Sequence, residues 1–215
     1  NTDPLRHRWE ALCERIGAFK NAHESDLTFE MLTTMYGHPV RAYHNLDHIR
    51  QCLAIYDSVR GLADGRDEVE FALWLHDCVF FPERSDNEER SADAAAMIAG
   101  LLGCSPEFTS RVKDLIAVTR HHEEPGRGDP ALVADIDLSI LGQDWPVYDA
   151  YRRAIHDEYD WAGEDLFRQG RMAFLQRMLD KPRIYSTNFF QRQLESKARD
   201  NMDRELMEWE RGGKR

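Results

Sequence analysis

The chain has 215 residues, of which 42% are hydrophobic, a size that suits one globular domain or a domain with a helical extension. Its formal net charge of -11 argues against a nucleic-acid polymer or a membrane surface as partner, because either would need a basic face. Small anionic substrates stay open, since a metal ion or a local Arg cluster overrides the global sign.

The sequence shows no run of ~18 apolar residues and no signal-like segment. Cys13, Cys52, Cys78 and Cys104 form no CxxC pair and sit in apolar helical stretches, which reads as reduced core cysteine and a reducing, cytoplasmic compartment. Asn1 stands where a start methionine would, so a trimmed chain is expected.

Helical periodicity is nearly continuous and no alternating strand pattern is found, so the expected class is all-α. A first helix covers about 5–19. The next begins near Asn45, where Leu46, Ile49, Leu53 and Tyr56 fall at helical spacing. The stretch "EVEFALWLHDCVFF" (68–81) is apolar on nearly every side and predicts a central buried helix. "SDNEERSADAAAMIAGLLG" (85–103) opens on an Asp/Asn cap and stops at Gly103. "SPEF" (105–108) offers Ser as cap and Pro at the first turn of a helix to about His122. After the loop "HEEPGRGDP", "ALVADIDLSILG" (131–142) predicts another apolar helix, followed by helices at about 146–160, 164–180 and 187–210. Ser186 or Thr187 would cap the last of these.

Three features carry chemistry. In "YHNLDHI" (43–49), His48 shares a helix face with Cys52, Ile55 and Val59 and so points inward, with His44 one turn earlier near the helix mouth. In "LHDCV", His76 and Asp77 close the most apolar helix of the chain. A buried, unpaired carboxylate there costs several kcal/mol, and no Arg or Lys follows before Arg84. An adjacent imidazole suits a metal ion; an ordinary imidazole–carboxylate pair is the alternative. In "ADIDLSILG", Asp135 and Asp137 both share faces with aliphatic residues, where an Asp needs something to hold it. A metal site accounts for all three better than coincidence.

His48, the His76–Asp77 pair and the distal Asp resemble the H…HD…D signature of the HD-domain metal-dependent phosphohydrolase superfamily. The order "YHNLDHI", "LWLHDCVF", "DNEERSA", "DIDLSILG", "DEY", "GR", "RIY" and "AR-N" is similar to a bacterial subgroup of predicted HD-superfamily phosphohydrolases, over about residues 40–202. The resemblance implies an HD-domain helical bundle, a single HD-type domain over 1–215 with its core at about 40–145 and a C-terminal helical extension at about 146–210. It implies one divalent metal ion (Mn, Co, Fe, Zn or Mg) on His48, His76, Asp77 and Asp137. The family Asp runs into Leu-Ser, which favours Asp137, with Asp135 orienting a ligand or serving as the alternative. His44 would be the general acid for the leaving oxygen, a role that suits imidazole chemistry.

Glu88 or Glu89, first-turn acids that the helix dipole favours in any case, would contact water at the metal, and Glu88 is the catalytic candidate. His122 is an inward candidate for substrate phosphate or a second metal, while His121 reads as a solvated helix end. Arg171 and Arg183 are candidates for clamping phosphate oxygens, though salt bridges serve them as well. The chain departs from the subgroup at "AIHDEY", where His156 replaces an Arg. Dinuclear members insert two histidines between the dyad and the last Asp. Between Asp77 and His121 there is none, which favours one metal. The expected function is metal-dependent hydrolysis of a nucleotide or other small phosphorylated metabolite, with an oligomer open. The alternatives are an HD-type di-iron oxygenase and a non-catalytic nucleotide- or metal-binding sensor.

Overall fold

Helices and the turns between them make up the chain, with no strand among the described residues, so the expected all-α class holds. The computed structural model describes residues 3–18, 22–120 and 125–212. The chain divides into two compact units, Asn1–Ile136 and Asp137–Arg215.

The first unit begins with α1 (Pro4–Arg15), whose N-cap Asp3 accepts from the Leu5 amide and which buries Leu5, Trp9, Leu12 and Cys13. An unanticipated helix follows, α2 (Ala22–Tyr36). Its buried positions, Ser25, Thr28, Phe29, Leu32 and Tyr36, have helical spacing, but two of the five are polar and mask the pattern. The Trp9 indole N–H donates to Thr28 Oγ1 at 3.1 Å, joining α1 to α2. Next comes α3 (Leu46–Val59), capped by the Asn45 side chain and burying His48, Ile49, Cys52, Leu53, Tyr56 and Val59.

At the centre is α4 (Arg66–Leu75), in which every residue from Val69 to Leu75 is buried. Trp74 meets Trp9 edge-on at 5.4 Å between ring centres. The buried Glu70 carboxylate accepts from Arg8 at 2.8 Å and Arg15 at 2.7 Å, which locks α1 onto α4. Asp129 caps the other end of α4, accepting from the Asp64 and Gly65 amides at 2.8 Å each. The helix stops at Leu75, well short of the expected 81. The apolar run continues, but tertiary bonds turn the chain: the Ser91 hydroxyl pairs with both the N–H and C=O of Val79, and Asn87 clips Phe81 in the same way. Both partners belong to α5 (Asn87–Leu101), which is followed by α6 (Pro106–Ala117), capped by Ser105 as expected. The α-helix expected over 131–142 is α7 (Asp129–Asp137) continued by a 3-10 turn, Leu138–Gly142, and the division between units falls in the last turn of α7.

The second unit contains that 3-10 turn with α8 (Trp145–Glu158), α9 (Glu164–Asp180) and α10 (Asn188–Gly212). Its interior holds a polar network. Arg171 makes a two-pronged bond to Glu205 at 2.9 and 3.0 Å and reaches the Tyr151 hydroxyl at 3.1 Å. The Tyr148 hydroxyl donates to Glu205 at 2.6 Å, and the Trp209 indole N–H donates to it at 3.2 Å. The 3-10 turn is clamped as well: Asn201 donates to the Leu141 and Gln143 carbonyls at 2.8 Å each, and the Tyr185 hydroxyl to Leu138 O at 3.1 Å. A Cβ on Gly142 would sit 2.6 Å from Leu194 Cβ, so only glycine fits against α10 there. The "RIY" and "AR-N" motifs are thus the clamp on "DLSILG". All four cysteines are free thiols. Burial pushes Cys13 up to about 11 and Cys78 up to about 12, so both are inert at neutral pH.

Candidate metal centre

Two helices of the first unit bring the central histidines together. His48, in the first turn of α3, is turned inward by the apolar stripe it shares with Ile49, Cys52 and Leu53. His76 is the residue that ends α4, and the turn beyond it presents Asp77. The Nε2 atoms of His48 and His76 lie 3.1 Å apart. Asp77 Oδ2 lies 3.1 Å from His76 Nε2 and 3.4 Å from His48 Nε2. Both imidazoles are almost fully buried, and the carboxylate is 15% exposed.

The tautomer of His76 follows from its second nitrogen. Nδ1 lies 3.0 Å from the Leu73 carbonyl, which only accepts, so Nδ1 carries the proton and Nε2 presents its lone pair to the centre. A carboxylate oxygen 3.1 Å from that lone pair is a repulsive arrangement unless positive charge lies between them. An additional imidazole proton or a metal ion supplies it. Atoms bound about 2.1 Å from one ion lie about 3.0 Å apart along an octahedral edge and about 3.4 Å along a tetrahedral one. The observed edges of 3.1, 3.1 and 3.4 Å fall in that range, so the three atoms fit a shared cation. Burial opposes ionisation of Asp77, but His76, His44 and His48 in their protonated forms overcome it and hold the carboxyl well below the usual carboxylate range.

Two further side chains group with the two histidines. Cys52 Sγ is 3.8 Å from both ring nitrogens of His48. Asp137, the last residue of α7, joins His48, Cys52 and His76 in a set whose ligand atoms all lie within 4.8 Å of one another and which can hold a metal ion. Neither Asp77 nor Asp135, buried two residues before Asp137, is in that set. The sequence marks Cys52 as a core residue only; its position four residues after an inward histidine is the signal for more.

His44 is half-buried and lies before the helix, one residue ahead of the Asn45 cap. Helical spacing therefore does not place it beside His48. Instead its ring stacks on Phe80 with centres 4.1 Å apart, and it ends 6.0 Å from the His48 ring. Glu88 is half-buried and Glu89 exposed in the first turn of α5. His121 and His122 lie outside the described residues. In the second unit, Arg171 is buried with all three nitrogens of its guanidinium engaged by Glu205 and Tyr151, an internal ion pair rather than an exposed clamp for phosphate. Arg183 is exposed ahead of α10, and His156 bonds Glu164 at 2.9 Å.

Comparison with protein-family models, curated proteins and solved structures finds no match to this chain.

Proposed function

We propose that the chain is a metal-dependent phosphohydrolase of the HD type, acting on a nucleotide or another small phosphorylated metabolite. The observation that carries the reading is the convergence of His48 Nε2, His76 Nε2 and Asp77 Oδ2 within 3.4 Å, two acceptors and an imidazole edge that call for a cation. Asp137, which groups with both histidines and Cys52 but not with Asp77, would be the remaining ligand of the expected two-His, two-Asp set. The nearby Cys52 thiol favours Zn, Co or Fe over Mg, because sulfur prefers softer ions. When bound, such an ion lowers the pKa of an attacking water and polarises a phosphoryl oxygen.

The chain's own residues do the rest. Leu73 O fixes the ring of His76 with its lone pair inward. Asp77 brings the negative charge that balances the cation. His44, held against Phe80 beside the centre, donates a proton to the leaving oxygen as the P–O bond breaks. Glu88 would orient the attacking water. The protein loaded with Mn, Co or Zn should release phosphate or a nucleoside from some member of a nucleotide and sugar-phosphate panel, and EDTA should abolish release. Ligand binding across the panel without any turnover would replace this reading with a sensor.

A further inference from the structure

Arg41 occupies an unusual place. It is buried, at 7% exposure, and pairs with no carboxylate among the described residues. Its partners are main-chain carbonyls. Nη1 donates to His44 O at 2.9 Å and to Asp77 O at 2.6 Å, and Nη2 donates to Cys78 O at 2.9 Å. The guanidinium lies over the Tyr36 ring at 5.1 Å and near the Phe80 ring at 5.7 Å. Phe80 is the ring on which His44 stacks. The Asn45 side chain ties back to the Arg41 and Ala42 carbonyls, closing the loop on which Arg41 and His44 sit.

The physics gives this arrangement a direction. Carbonyls beyond the last turn of a helix have no intrahelical partner and carry partial negative charge. Arg41 satisfies those just past the end of α4, which are the carbonyls of the turn that presents Asp77. The same nitrogen holds the carbonyl of His44. A lysine would supply the charge but not the planar fork that spans three carbonyls.

We infer that Arg41 is a positioning residue that holds His44 and the His76–Asp77 turn in one frame. Both the metal affinity of the centre and the placement of the His44 ring then depend on it. The inference rests on the reading of His76 and Asp77 as metal ligands for its affinity arm only.

The test compares the full-length wild type with R41K. Co(II) binding is followed by its visible absorption, and the histidine ring NMR signals are recorded without metal. R41K should unfold cooperatively, bind Co(II) roughly 10–100-fold more weakly, as when a partner that orients a ligand is lost, and show shifted His44 and His76 signals with His156 unmoved. Wild-type affinity, or movement of only one of the two rings, would overturn the inference. If the wild type itself binds no Co(II), the metal-centre reading fails, and the two ring signals alone decide the role of Arg41. R41Q, which keeps two N–H donors, takes the place of R41K should the lysine variant fail to fold.

Discussion

His48 Nε2 and His76 Nε2 lie 3.1 Å apart although 28 residues separate them in the chain. The Nδ1 proton of His76 is committed to Leu73 O, so in the neutral ring its Nε2 is an acceptor facing the Asp77 carboxyl. In the proposed metal centre an ion relieves that opposition. His48→Ala and His76→Ala should each therefore lose most metal binding, and activity should fall with it. Equilibrium dialysis and turnover, measured on the same preparations, check this; a metal-replete His76→Ala protein would remove His76 from the ligand set.

His44 is assigned different work from His48. His44→Ala leaves the His48, His76 and Asp77 triangle intact, so its metal content should match the wild type. Turnover should drop by roughly 10²–10⁴-fold, the usual contribution of a general acid. The loss should shrink for p-nitrophenyl esters, whose leaving group needs less protonation. Equal losses on good and poor leaving groups would make His44 a structural residue.

The Arg171–Glu205 pair predicts an acid limb of stability in the second unit. Burial raises the Glu205 carboxyl, but Arg171, the Tyr148 hydroxyl and the Trp209 N–H outweigh it and lower the carboxyl below its ordinary 4.5. A carboxyl with a depressed folded pKa stabilises the fold fully above about pH 4.5 and loses that contribution as pH falls through the folded value. Glu205→Ala leaves a buried guanidinium without its partner and should cost about 3–5 kcal/mol. Urea unfolding of both proteins from pH 7 to pH 3 tests it: the wild type should lose stability toward acid more steeply than the variant.

The clamp on the 3-10 turn gives a stability prediction of its own. Asn201→Ala removes both donors to Leu141 O and Gln143 O and should destabilise the chain by about 1–3 kcal/mol, the range for buried groups left unpaired. Tyr185→Phe, which removes one bond to Leu138 O, should cost about 1 kcal/mol. Denaturant midpoints decide it, and an Asn201→Ala protein as stable as the wild type would show that the clamp is not needed.

The all-α class and the inward histidines were legible because burial leaves a periodic trace. His48 shares its face with Ile49, Cys52 and Leu53, and the His76–Asp77 pair closes a helix that is buried on every side. The end of that helix was not legible. The apolar pattern runs on to Phe81, and what stops it is bonding from Asn87, Ser91 and Arg41, which lie 6, 12 and 36 or 37 residues from their partners and outside the helix's own repeat. Helix α2 was hidden by Ser25 and Thr28 on its buried face. Arg41 sits in a polar loop and looks like a surface cation until its carbonyl partners, 36 and 37 residues away, are known. Arg171 looks like a candidate phosphate clamp in the sequence because Glu205, 34 residues on, is invisible to local pattern.

Metal content tests the account most directly. Protein purified without added metal, then dialysed against Zn, Co, Mn or Mg and measured by elemental analysis, should hold about one transition-metal ion per chain, with Mg bound more weakly. A folded protein that retains no ion of any of the four would contradict the metal centre, and two firmly bound irons per chain would contradict the phosphohydrolase reading in favour of an oxygenase.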